Sequence, residues 1–127
     1  MEVCKSMIIG IGVDIVSVQR LTISLDKIAA RVFTPEELAA AADSAHRMEH
    51  LAGRWAAKEA LAKALGCGFG EKCSWQDINI SNDPSGKPQI FLTGRTLQSF
   101  KNMAGKSIHL SISHEKEYAT AFVILEG

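Results

Sequence analysis

Two acids, a short run of cations and one histidine are the residues of this 127-residue chain whose types and spacing could do chemistry. Asp14 follows Gly10 and Gly12 inside the apolar run MIIGIGVDIV, where an unpaired buried charge costs several kcal/mol. It either caps the turn at the end of a strand or acts as a hard oxygen ligand for a metal. In the second case the two glycines leave space beside it for a phosphate-sized group. Glu59 lies inside RWAAKEALAK (54–63). Its plain role is an i,i+4 pair with Lys63 on a solvated helix face, worth about 0.3–0.5 kcal/mol. However, Arg54, Lys58 and Lys63 place three cations within ten residues of an otherwise Ala-rich helix. A carboxylate to hold Mg²⁺, with cations to meet phosphate, is what a diphosphate ligand requires. His114 directly follows the alternating segment IHLSIS (108–113), as a plain turn residue or as part of a site.

Other chemistries fail on their motifs. GxxxxGK[ST] is absent, because Phe100 stands where the first glycine belongs before Gly105-Lys106-Ser107. GxGxxG fails too, with Ile15 in place of the third glycine after Gly10 and Gly12. His46, His50 and His109 have no zinc-like spacing, and no GxSxG elbow supports a serine triad. Fourteen basic residues balance fourteen acidic ones, which argues against nucleic acid or an anionic membrane as a partner. No apolar run reaches the roughly 18 residues of a membrane span and no signal-peptide pattern is present, so a cytoplasmic, soluble protein is expected. Three cysteines (Cys4, Cys67, Cys73) without a CxxC pair predict ordinary thiols, neither a disulfide framework nor a zinc site.

These residues need elements to position them. The length fits one domain that buries about two-thirds of its unfolded surface. Residues 1–6 read as a loose lead-in and 7–127 as the domain. Met7–Val16 reads as a buried strand, with Ile9, Ile11, Val13 and Ile15 on one face and Gly10, Gly12, Asp14 and Val16 on the other. A short helix over Leu21–Ala30 follows. Thr34-Pro35-Glu36-Glu37 then starts a second helix through a capping box. The strongest helical pattern runs from Arg47 to Leu65 and ends at Gly66. A strand near Trp75–Ile80, a turn over Asp83–Pro88 and a returning strand over Gln89–Leu92 form a hairpin. A helix over Arg95–Met103 precedes two strands, near Ser107–Ser113 and Tyr118–Leu125. The order β-ααα-ββ-α-ββ predicts an α+β domain, a largely antiparallel sheet with a long central helix packed on it.

Taken together, IGIGVDIVSVQRL (9–21), RVFTPEEL (31–38), LAGRWAAKEALAKALGCG (51–68), NDPSGKP (82–88) and LSISHEKEYATAFVI (110–124) resemble the holo-(acyl-carrier-protein) synthase family. This is the small stand-alone type of 4′-phosphopantetheinyl transferase, and the resemblance covers nearly the whole chain from Met7 on. It implies a Mg²⁺-dependent transfer of 4′-phosphopantetheine from coenzyme A to a serine of apo acyl carrier protein, for fatty acid biosynthesis. Adenosine 3′,5′-bisphosphate would be released. The family's metal ligands match Asp14 and Glu59, and its diphosphate lysine matches Lys63. Arg54 and His114 match positions expected to meet the nucleotide phosphates. Arg20 matches a basic position facing the acidic helix of the carrier, and Lys27 and Arg31 follow it along one helical face. The base for the serine is either Glu59 or a metal-bound water. The family forms homotrimers with active sites between subunits, so Asp14 and Arg20 need not act with Lys63 of the same chain. One departure is Cys67, which stands in the Gly-Cys-Gly loop where the family usually has threonine.

Overall fold

The computed structural model describes residues 5–127. Residues 1–4, including Cys4 and most of the expected lead-in, lie outside the described residues. The chain enters as strand β1 (Ile8–Ser17), which runs directly into helix α1 (Val18–Val32). Ser17 makes that junction: its Oγ accepts a hydrogen bond from the Arg20 backbone N–H at 3.3 Å, capping the helix three residues before the sequence predicts. Thr34 and Glu37 form the expected capping box at the start of α2 (Pro35–Ala41). The long helix α3 (Arg47–Leu65) has the predicted bounds, and Gly66 ends it in the left-handed conformation, φ 79°.

The hairpin starts later than expected. Trp75–Asp77 is a single 3₁₀ turn, and the paired strands are β2 (Ile78–Asn82) and β3 (Pro88–Leu92). Asp83 builds the turn between them, its Oδ1 accepting from the Ser85 and Lys87 backbone N–H groups. Helix α4 (Gly94–Asn102) leads to β4 (Ser107–His114) and β5 (Tyr118–Glu126). All strand pairing is antiparallel, but the strands form two sheets rather than one: β1-β5-β4 and β2-β3.

Helix α3 lies across the inner face of the three-stranded sheet. Leu110, Ala121, Val123 and Leu125 pack with Ala56, Ala57, Ala60, Leu61 and Ala64 in one apolar core. A second cluster, with Leu21, Leu25, Val32, Phe33 and Leu51, seats α1 and α2 on the other side of α3.

The reading of β1 as a buried strand is corrected. Its glycine face, not its isoleucine face, meets the helix. Ile11, Val13 and Ile15 are 58%, 55% and 67% exposed. Side-chain volume explains the reversal. A Cβ on Gly10 or Gly12 would overlap the carbonyl oxygen of Ala64 or Ala60, so only bare backbone fits there.

Candidate active site

The seam between β1 and α3 sets the site. Gly10 lies over Ala64 and Gly12 over Ala60. Two strand residues advance about 6.8 Å and four helix residues about 6 Å, so strand and helix stay in step as they run past each other. The next inward position on β1 is Asp14. On the sheet it pairs with Ala121 of β5, which in turn pairs with Ile112 of β4. Lys63, near the end of α3, reaches back to it: Nζ donates to Asp14 Oδ1 at 3.0 Å and to the Val13 carbonyl oxygen at 2.9 Å.

Glu59, one turn before Lys63, belongs to the same group. Burial pushes its carboxyl above the ordinary value, the negative charge of Asp14 adds to this, and Lys63 offsets part of it. Two carboxylates and one ammonium are thus assembled by a single chain. The solvated pair expected between Glu59 and Lys63 is replaced by the Lys63–Asp14 bridge.

Lys58 departs from the sequence reading, which counted it among the cations available to phosphate. Its side chain is fully buried, pairs with Glu37 Oε1 at 2.7 Å, and donates to the Val32 and Trp75 carbonyl oxygens at 2.7 and 3.0 Å. Glu37 also accepts from the backbone N–H groups of Thr34 and Ile80, both at 2.8 Å. This network ties α1, α2 and β2 to α3. The helical step of 100° sends adjacent residues in different directions, so Lys58 points into the core while Glu59 faces β1.

One and a half turns before Glu59, about 7–8 Å along the axis, lies a second polar group. Arg54 is buried, its Nη2 donates to Asn82 Oδ1 at 3.0 Å, and its Nε finds no partner among the described residues. His50, one turn earlier, also has an unpartnered buried Nε2. His114, the last residue of β4, places Nδ1 3.5 Å from Glu49 Oε2. Burial, then the charges of Arg54 and His114, hold His50 below its ordinary value and so neutral. The structure therefore brings Arg54 and His114 into one neighbourhood, as the sequence expects, and adds His50, Glu49 and Asn82. The i,i+4 spacing of His50 and Arg54 is a signal that could have found His50; Asn82 comes from a distant strand and leaves no local trace.

Arg20 stands apart from both groups. It is exposed in the first turn of α1 and lines a shallow cleft with Ile15, Ser17 and Tyr118. Lys27 and Arg31 are exposed as well.

Among the described residues no three His, Cys, Asp or Glu side chains cluster as a complete metal cage. Asp14 and Glu59, close enough for their charges to interact, suit a hard ion that takes one or two carboxylates and completes its shell from phosphate and water. Mg²⁺ is such an ion.

Comparison with known proteins identifies the family. Residues 10–123 match the model of the 4′-phosphopantetheinyl transferase superfamily. A holo-(acyl-carrier-protein) synthase of Shewanella frigidimarina is 46% identical over 124 residues, spanning 94% of this chain and 98% of the relative. One of Koribacter versatilis is 39% identical over 94% and 99% of the two chains. Among solved structures, the synthase of Bacillus anthracis in complex with CoA (3′,5′-ADP) superposes with a TM-score of 0.82 at 41% identity, covering 95% of this chain and 98% of that one. The synthase of Neisseria meningitidis gives a TM-score of 0.87 at 38% identity, with 95% and 100% covered. On the strength of its strand–helix seam, its matched motifs and these relatives, the chain belongs to the 4′-phosphopantetheinyl transferase superfamily.

Proposed function

We propose that this chain is a holo-(acyl-carrier-protein) synthase: it transfers 4′-phosphopantetheine from coenzyme A to a serine hydroxyl of apo acyl carrier protein and releases adenosine 3′,5′-bisphosphate. The observation that carries this reading is the meeting of Asp14, Glu59 and Lys63 at the β1–α3 seam, in a chain whose relatives bear that name and one of which was solved with coenzyme A. Phosphoryl transfer asks mainly for positioning and neutralisation of charge on phosphate oxygens.

Asp14 and Glu59 are the residues that would hold Mg²⁺. Bound there, the ion would supply positive charge to neutralise a diphosphate. Lys63 adds a fixed ammonium beside it, already oriented by Asp14 and the Val13 carbonyl. Arg54 and His114 are assigned to the nucleotide phosphates. The unpartnered Arg54 Nε supports this, since a buried guanidinium without a full set of acceptors favours an arriving anion. Arg20, on the exposed rim, is assigned to the acidic carrier.

The assembly is assigned as a homotrimer. Val13 and Phe122 face each other across the β1–β5 ladder on the outer side of the sheet, flanked by Ile11 and Ile15. A contiguous exposed apolar stripe on a sheet marks a protein interface. The site group lies on the opposite side of the same strand, so a neighbouring subunit seated on this stripe would come close to it.

Incubating the chain with coenzyme A, Mg²⁺ and an apo carrier, then weighing the carrier, tests the reading. The carrier gains the mass of phosphopantetheine at one serine. An unchanged carrier with coenzyme A still bound would leave a binding subunit in place of an enzyme.

A further inference from the structure

We propose that His50 is a specificity-determining residue for the nucleotide: with Arg54 it presents a pair of N–H donors that takes the phosphate monoester of coenzyme A and discriminates against a nucleotide lacking it. This rests on the transferase reading and gives a role to a residue that reading leaves unassigned.

Among the described residues, two buried side-chain polar atoms have no hydrogen-bond partner, His50 Nε2 and Arg54 Nε. They belong to residues four positions apart on α3, which share one face of the helix with Cβ atoms about 5–6 Å apart. A buried donor without an acceptor costs free energy, so such atoms are rare. Two of them, one turn apart on one face, fit an acceptor that arrives from outside the chain. The surroundings are otherwise satisfied. Arg54 is 6% exposed, and Asn82 Oδ1 holds the other edge of its guanidinium at 3.0 Å. Glu49 is taken by two histidines: its Oε1 lies 3.7 Å from His46 Nδ1 and its Oε2 3.5 Å from His114 Nδ1.

The donor set selects the ligand. Asp14 and Glu59 are carboxylates that meet phosphate through a metal, which suits the diphosphate. His50 and Arg54 bring no carboxylate and meet phosphate oxygens directly. Coenzyme A carries one diphosphate and one phosphate monoester, and a monoester with its second pKa near about 6 is mostly a dianion at neutral pH. An imidazole donates from Nε2 either as the neutral tautomer protonated there or as the imidazolium, so both forms of His50 can meet the dianion. Burial and the charges of Arg54 and His114 disfavour a further cation at His50, and the dianion brings the opposite charge to that group.

The test measures affinity by calorimetry on the full chain with Mg²⁺ and without a carrier. The two probes are coenzyme A and dephospho-coenzyme A, which keeps the diphosphate but lacks the monoester. His50→Phe preserves a ring and removes both of its nitrogens. The parent should prefer coenzyme A, and His50→Phe should weaken coenzyme A at least tenfold while dephospho-coenzyme A changes less than twofold. His50→Leu should show the same difference and serves if the phenylalanine does not pack. A structural role alone would move both affinities together or neither, and either result overturns the proposal. A parent that binds neither probe overturns the transferase reading, and this inference with it. A parent that modifies the carrier, beside a His50→Phe chain with its full preference for coenzyme A, overturns this inference alone.

Discussion

Lys63 Nζ bridges to Asp14 Oδ1 at 3.0 Å although 49 residues separate them, while Glu59, a single turn away on the same helix, is left to feel Asp14 as a repelling charge. The cation thus belongs to the strand–helix junction and not to its own helix. Asp14→Asn and Glu59→Gln should each reduce transfer by at least a thousandfold, because each removes a charge from the carboxylate pair proposed to hold Mg²⁺. The fold should survive both: the Asp14–Lys63 bridge has a half-exposed lysine and is worth about 1 kcal/mol or less. Circular dichroism melts and carrier mass assays check the two halves. Activity with an unchanged Mg²⁺ requirement would remove both residues from the metal.

The Lys58–Glu37 pair should behave in the opposite way. Lys58→Met leaves a buried carboxylate uncompensated and should cost about 3–5 kcal/mol in urea unfolding, with transfer in the remaining folded protein little changed. Combining it with Glu37→Gln should cost less than the two single changes added together. A Lys58 variant that unfolds like the parent but loses coenzyme A binding would return Lys58 to the phosphate site.

His50 makes stability depend on pH. Its native value is lowered, so below its ordinary 6.5 the unfolded chain binds a proton that the folded chain refuses. Stability therefore falls as pH drops through 6.5 and levels off below the lowered native value. The His50→Gln chain should lose that part of the slope. Urea midpoints between pH 5 and 8 measure it, and identical slopes for parent and variant would contradict the assignment.

The apolar stripe on β1 should set the oligomeric state. The parent should sediment at three times the chain mass, and Val13→Asp should sediment as a monomer with transfer lost although Asp14, Glu59 and Lys63 are intact. A fully active parent monomer at micromolar concentration would rule out a site shared between subunits.

Arg20→Glu should raise the carrier KM roughly tenfold at low salt, about 1.4 kcal/mol, with the effect shrinking as salt rises. Screening over about 8 Å at physiological ionic strength explains the salt dependence. The KM for coenzyme A should stay within a factor of two. Equal losses for both substrates would move Arg20 into the nucleotide site.

Much of this was legible before any coordinates. Thr34-Pro35-Glu36-Glu37 marked a helix start and Gly66 an end because capping is local chemistry. Asp14 stood out because a charge in an apolar alternation must answer to something. Which face of β1 is inner was not legible: alternation shows that two faces differ but not which one meets the core, and here the close approach of α3 selected the smaller residues. Lys58 was misjudged because its partner, Glu37, lies 21 positions away and already had a complete local role in a capping box. The Arg54–Asn82 contact spans 28 positions and belongs to tertiary packing alone.

The glycine seam has a bearing on how this scaffold could be re-engineered. Where two elements are held apart by side chains, repacking can shift them by a fraction of an ångström; where backbone rests on backbone, there is no spacer to resize. The separation of Asp14 from Glu59 and Lys63 is of the second kind, measured from Gly12 against Ala60 and Gly10 against Ala64. A thermostability library could therefore repack Leu61 and Ile78, which no seam glycine touches, without resizing that separation, whereas even one methyl at Gly12 would act as a shim that lifts the strand off the helix.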